Sequence, residues 1–281
     1  MKNLNYIPLF WWSEVYLMGK SKENYGDLLS KYIVEKISGK NAKWVHPKKQ
    51  AWYKLNKTNF LSTGSILAHA TMHSVVWGSG IVDRKHHVNQ ADFRAVRGPE
   101  TRSFLLNLGY KCPEIYGDTA ILLPDYFSPK VQKKFELGII PHYVDYKTIK
   151  DKYGKYENIK VIDLMTLDVE KTTTEILSCR RIVSSSLHGL IVPHAYGIPA
   201  IWIQFSNKVF GDNIKYEDYY QSVQMEEYKN PDNGLNLTDD SHVEDLFQKY
   251  ESLPDPKLIS ELKIGLKNSC PFLNNKNHSS V

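Results

Sequence analysis

The chain has no run of about 18 consecutive apolar residues, which removes a transmembrane helix from consideration. Its only early apolar stretch, Tyr6 to Trp12, is short and aromatic and runs into Ser13 and Glu14, unlike the hydrophobic region of a signal peptide. The three cysteines, Cys112, Cys179 and Cys270, are odd in number and far apart, so neither a disulfide framework nor a cysteine-based zinc site is expected and a reducing compartment fits. Sixteen glycines and thirteen prolines in 281 residues are too few for collagen-like or low-complexity sequence. There is no internal repeat or long linker, and no P-loop, G-x-G-x-x-G, C-x-x-C or G-x-S-x-G. What is there is a globular composition: 42% hydrophobic and 24% charged residues rule out disorder as the overall state. A net charge of +5 suits an anionic substrate or an anionic membrane surface and is too weak and too dispersed for a nucleic-acid footprint. Eighteen tyrosines and six tryptophans are common in sugar-handling proteins, and equally in aromatic cores.

Short apolar runs alternate with helical patterns, which predicts an α/β fold. Strands are expected at Tyr6 to Trp12, Trp44-Val45, Phe60-Leu61, Val75 to Trp77 and Phe93 to Val96, with helices from Asp27 to Gly39 and from Glu100 to Gly109. Pro124, Pro129 and three lysines mark a boundary near residues 125–135, after which the pattern restarts. Strands are expected at Leu137 to Ile140, Ile159 to Ile162, Arg181 to Val183 and Pro199 to Ile203, and helices over Val169 to Leu177, Leu187 to Tyr196, Val243 to Tyr250 and Pro256 to Leu266. The last ten residues are expected to fray. The pattern suggests two doubly wound domains facing each other across a cleft.

Chemistry-bearing residues cluster where strands end. Val183-Ser184-Ser185-Ser186-Leu187-His188-Gly189 reads as strand, hydroxyl-rich turn and helix start, with Ser186 a candidate N-cap and His188 beside whatever anion docks there. The plain alternative is a capped helix with a surface histidine. Arg97-Gly98-Pro99-Glu100-Thr101-Arg102 places two arginines around a helix start, where they suit phosphate or carboxylate or are simply solvated. Asn24-Tyr25-Gly26-Asp27 offers a carboxylate at a helix start, whose plain alternative is an N-cap. His142 follows a predicted strand end. Lys215-Tyr216-Glu217-Asp218-Tyr219-Tyr220 is a charged aromatic cluster, alternatively a surface turn. His69 and His73 have metal-pair spacing without a third ligand, so packing or surface is the better reading.

In this order, Asn24 to Asp27, Val76 to Gly80, Arg97 to Arg102, Gly117-Asp118-Thr119-Ala120, Pro141-His142-Tyr143, Ser184 to Gly189 with Gly197-Ile198-Pro199, and Lys215 to Tyr220 resemble the polysaccharide pyruvyl transferase family. Thr119 departs from it where proline is common, a difference expected to alter a turn and not the chemistry. The resemblance implies a GT-B-like pair of Rossmann-like domains. It also implies transfer of pyruvate from phosphoenolpyruvate to two hydroxyls of a sugar, giving a cyclic ketal for surface polysaccharide, capsule or exopolysaccharide. The expected acceptor is galactose in a saccharide precursor linked to polyprenyl diphosphate. The expected domains are residues 1–127 (acceptor side), 128–250 (donor side) and 251–281 (a helix and tail packing back on the first domain). On that basis His188, Asp27 and His142 are the expected catalytic residues. Arg97, Arg102, Ser185, Ser186, Leu187, His188 and Gly189 are expected to bind phosphoenolpyruvate, and Asn24, Gly26, Asp27, Lys215 and Tyr216 the acceptor. Neither a cofactor, beyond phosphoenolpyruvate as co-substrate, nor a metal nor nucleic acid is expected. The expected location is the cytoplasm, with peripheral contact at the inner membrane face. The rival readings are a GT-B glycosyltransferase using a nucleotide sugar and a non-catalytic saccharide-binding protein.

Overall fold

The computed structural model describes residues 5–208, 211–228 and 236–273. The fraying expected at the C-terminus falls mainly on residues 274–281, outside the described residues. In the first half, β1 (Tyr6–Phe10) leads through the short helix α1 (Glu14–Met18) and β2 (Glu23–Asn24) into α2 (Tyr25–Ser38). β3 (Asn41–Trp44), β4 (Asn59–Leu61), β5 (Ser74–Ser79) and β6 (Asp92–Val96) follow, then α3 (Pro99–Asn107). A 3-10 helix at Thr119–Asp125 connects to β7 (Phe135–Ile140), α4 (Tyr146–Tyr153), β8 (Ile159–Val161), β9 (Met165–Thr166) and α5 (Val169–Leu177). β10 (Cys179–Ser184), α6 (His188–Ala195), β11 (Ala200–Trp202), α7 (Ile214–Ser222), α8 (Asp240–Lys249) and α9 (Pro256–Asn268) complete the order.

Two parallel sheets result. The first has the order β3-β1-β4-β5-β6 and the second β11-β10-β7-β8, and every pairing within them is parallel. Parallel sheets are covered on both faces, so their strands read as nearly unbroken apolar runs. Leu9, Phe10 and Leu61 in the first sheet and Ile139, Ile140 and Ile182 in the second are fully buried. In each sheet the chain moves to one side of its first strand and then crosses to the other. That reversal lies between β1 and β4 in the first sheet and between β7 and β10 in the second. A crevice opens outside the carboxyl ends of the strands at such a reversal, and ligands bind there.

The halves are joined tightly. β2 pairs with β9 in antiparallel fashion, and the Tyr25 N–H donates to Leu164 O at 2.7 Å. One apolar cluster runs from Leu9, Leu29 and Ile33 through Ala120 to Leu123 of the connecting 3-10 helix to Ile140, Ile182 and Leu190. α9 returns to the first half: Trp77 Nε1 donates to Leu266 O at 2.8 Å, and Asp125 pairs with Lys263 at 2.8 Å and Lys267 at 2.7 Å.

Several local expectations are corrected. α2 starts at Tyr25, and Asn24 caps it by accepting from the Gly26 N–H at 2.9 Å, so Asp27 is not the cap. Ser186 is not the cap of α6. That position is Leu187, without a side-chain bond, while Ser184 Oγ bridges Ile140 O and Ser186 O and accepts the Ser186 N–H. Residues 215–220 form the buried helix α7 and not a surface turn. Thr119 does more than change a turn, because its hydroxyl bonds those of Ser62 at 2.8 Å and Thr63 at 2.6 Å.

Candidate active site

The residues that gather are those at the two strand-order reversals. β1 runs into Ser13 and Glu14, β4 into Gly64, β7 into His142 and β10 into the turn before His188. The joining contact is between Gly26 and His188. A Cβ at Gly26 would lie 2.0 Å from His188 Nδ1, so only glycine lets the α2 backbone carry the imidazole. On its other side, His188 Nε2 lies 3.5 Å from Asp118 Oδ2, with both side chains almost wholly buried. Nε2 has no hydrogen-bond partner among the described residues. Asp118 itself is fixed by its other contacts, accepting from the Ala120 N–H at 3.0 Å and the Gly64 N–H at 3.5 Å.

Asp27 lies one residue on from Gly26 and close to Gly64, whose φ of 109° is left-handed; a Cβ there would sit 3.4 Å from Asp27 Oδ1. Burial raises the Asp27 carboxyl well above its ordinary value, and Glu14, Glu23 and Asp118 push the same way while Lys215 opposes. The carboxyl therefore holds its proton far more readily than an exposed aspartate does. Glu14 is buried against Lys20 at 2.7 Å, and Glu23 accepts from Ser13 Oγ and the Glu14 N–H.

His142 follows the end of β7. Its N–H donates to Ser185 Oγ at 2.8 Å, and its Nδ1 is buried with no hydrogen-bond partner among the described residues. Burial, then the Lys215 charge, lower its pKa to about 4, which makes it a neutral imidazole at neutral pH. Lys215, on α7, is brought down to about 8 by burial and by Arg97, with Asp27 opposing; it stays mainly charged at neutral pH. Tyr216 donates its hydroxyl to Ser185 O at 2.9 Å and stacks on Trp202 at 4.3 Å, holding the turn in place.

The structure brings together Gly26, Asp27, His142, the Ser185–Gly189 turn and α7. It gives the two arginines protein partners instead. Arg97 is fully buried, donating to Asp218 Oδ2 at 2.9 Å, Ser65 Oγ at 2.6 Å and Ile81 O at 2.7 Å, and Gly80 leaves room for it. Arg102 donates to Cys112 O at 3.2 Å and approaches Glu114 at 3.9 Å, away from these groups. Asn24 is occupied as a cap. His69 and His73 do not share a helix, and among the described residues no group of three metal-ligating side chains occurs. Two neighbours are invisible in the sequence: Asp118 as a partner of His188, and Glu14 beside Asp27. Asp118 stands in a quoted motif but without a visible target, and Glu14 resembles any residue that opens a helix.

The fold and the site define an α/β protein that gathers imidazole, carboxyl and ammonium groups at the carboxyl ends of two parallel sheets. A model of the family described as polysaccharide pyruvyl transferase matches residues 71–207. "Uncharacterized protein L143" of Acanthamoeba polyphaga mimivirus is 30% identical over 240 residues, covering 80% of this chain and 82% of that protein. No solved structure matches the chain. The chain belongs to the polysaccharide pyruvyl transferase family, and is thus a transferase of polysaccharide synthesis. Among the described residues no helix is long and apolar enough to cross a membrane.

Proposed function

We propose that the chain moves pyruvate from phosphoenolpyruvate onto two hydroxyls of a sugar, forming a cyclic ketal and releasing phosphate. The observation that carries this is His188: a buried imidazole whose Nε2 has no hydrogen-bond partner among the described residues, set on Gly26 at the start of a helix and 3.5 Å from Asp118. A doubly anionic donor needs charged or N–H partners wherever it is buried. The Leu187 and His188 N–H groups at the start of α6 lie outside the helix ladder and favour an anion, while the Gly189 N–H donates to Ser186 O at 3.1 Å and holds the turn that presents them. In this reading they hold the phosphate with Ser185, Ser186, His188 and the Lys215 ammonium. Arg97 acts at one remove, fixing α7 through Asp218 and thereby placing Lys215.

The methylene carbon takes a proton, a sugar hydroxyl oxygen bonds to C2, and the C2–O bond to phosphate breaks. The second hydroxyl then closes the ring. Of the two hydroxyl protons, one replaces that given to the methylene and the other leaves with phosphate. Asp27, which holds its proton, is the acid; a protonated carboxyl in a poorly solvated site is suited to that. His142, neutral with Nδ1 open, takes the proton of the acceptor hydroxyl. Asn24, Gly26 and Tyr216 shape the acceptor side by holding Asp27 and the Ser185 turn.

The two sheets are read as the facing halves of a GT-B-like pair, with domains at 1–127 and 128–250 and residues 251–281 packed on the first. The acceptor is read as galactose in a lipid-linked precursor, for capsule or exopolysaccharide, made at the cytoplasmic membrane face. Incubation with phosphoenolpyruvate and lipid-linked galactose, mannose and glucosamine acceptors, followed by mass spectrometry, tests this. A pyruvate ketal on galactose with one phosphate released per ketal is expected. Nucleotide release from a nucleotide sugar, with no ketal on any acceptor, would instead make the chain a glycosyltransferase.

A further inference from the structure

The positive charge of the chain is not evenly spread. Between Glu35 and Asp83 there is no acidic residue, while Lys36, Lys40, Lys43, Lys48, Lys49, Lys54 and Lys57 supply seven positive charges. The whole chain carries +5, so everything outside this segment is net acidic. The excess therefore belongs to one stretch of the sequence; Lys36 at its start pairs with Glu170 at 3.5 Å, and Lys48, Lys49, Lys54 and Lys57 fall together in the crossover that follows β3.

The same stretch exposes apolar side chains. The crossover from the edge strand β3 to β4 carries no α-helix, only a 3-10 turn at Pro47–Lys49. A helix in such a crossover normally buries its apolar face on the sheet. Here Trp52 is 87% exposed, Tyr53 73% and Leu55 fully exposed, the most prominent apolar group on the described surface. The segment is nevertheless ordered: Gln50 Nε2 donates to Lys57 O at 2.7 Å and Lys54 Nζ to Gln50 Oε1 at 2.7 Å, and Trp52 and Tyr53 meet edge to face at 5.9 Å. Lys48 and Lys49 are exposed beside them.

We propose that the 48–57 segment docks the protein on an anionic lipid bilayer, with Trp52, Tyr53 and Leu55 entering the headgroup region and Lys48, Lys49, Lys54 and Lys57 meeting lipid phosphates. Tryptophan and tyrosine favour that interface because one side of the ring system is apolar and the other polar, and lysines add attraction to anionic lipid. A protein partner would match the apolar group but gives no reason for a segment without a single carboxylate. The inference rests on the membrane-face reading of the function but is measured apart from it, since vesicle binding reads this surface and ketal formation reads the site.

The full chain is sedimented with vesicles of phosphatidylcholine mixed with phosphatidylglycerol, and with phosphatidylcholine alone. Binding to the mixed vesicles only, weakened by salt, is expected. Trp52→Ser/Tyr53→Ser/Leu55→Ser is expected to remove most of it, and Lys48→Gln/Lys49→Gln to weaken it roughly 25-fold, about fivefold per lysine. All five positions lie on the surface, and unchanged melting curves confirm that the variants fold. No binding to mixed vesicles, or equal binding by the triple variant, would overturn the proposal. So would a wild type that self-associates in solution and becomes monomeric in the triple variant, since the patch would then join copies of this chain.

Discussion

Asp27 is the residue at which stability and chemistry pull apart. Its carboxyl lies buried near Glu14, Glu23 and Asp118, and its pKa is raised well above the value it has in the unfolded chain. In the pH range between those two values the folded state binds more protons than the unfolded state. Stability therefore falls as pH rises through that range, and this penalty is absent at pH below it. Asp27→Asn keeps the shape and removes the titration. It is expected to raise the melting temperature near neutral pH by about 2 °C or more, to flatten its decline with pH, and to lose activity by roughly 10²-fold or more if the carboxyl moves a proton. Melting curves across pH, set beside ketal formation, check both parts. A destabilised Asn variant would mean that the carboxyl is paired in a way that favours its charge. The site's residues differ in legibility. His188 stands out because a strand, a hydroxyl turn and a helix start surround it in sequence. Its buried neighbour Asp118 is 70 residues earlier, and no local pattern announces a contact across that separation.

Among the elements, α7 is the least legible. Tyr216, Tyr219 and Tyr220 are buried there, and tyrosines next to Lys215, Glu217 and Asp218 hide the apolar periodicity that marks a helix. What holds α7 is a charge that would look exposed in sequence. Asp218 is completely buried, accepts from Arg97, from the Thr101 N–H at 2.9 Å and from Thr101 Oγ1 at 2.7 Å, and lies against Gly98, where a Cβ would come within 1.9 Å of Asp218 O. The R-G-P-E-T-R motif thus reads in structure as a socket for α7. Removing one partner of a buried pair leaves the other charge uncompensated. Asp218→Ala is expected to cost about 3–5 kcal/mol in urea denaturation with an unchanged slope, and Asp218→Asn less. A cost below about 1 kcal/mol for the alanine variant would place Arg97 in another role. By contrast α5 is legible to the residue and β7 and α9 to within two residues at one end, because apolar spacing and stop signals mark them, while of β10 only the stretch Arg181–Val183 is legible, since Cys179, Arg180 and Ser184 carry no apolar pattern.

Across the whole molecule, the parallel α/β class is readable from alternating elements, but the way the halves meet is not. Their junction consists of the two-residue strands β2 and β9, the 3-10 helix at Thr119–Asp125 and the return of α9 onto Trp77, all too short or too distant in sequence to leave a pattern. That junction sets Gly26 of one half against His188 of the other, and the account depends on it. The direct measurement is calorimetric titration of phosphoenolpyruvate into the wild type, Gly26→Ala and His188→Ala, with melting curves for each. Saturable binding near one equivalent is expected in the wild type. Binding at least about tenfold weaker is expected in both variants with the fold retained, in Gly26→Ala because the new methyl displaces the imidazole and in His188→Ala because the ring is gone. No binding to the wild type, or equal affinity in all three folded proteins, would contradict it.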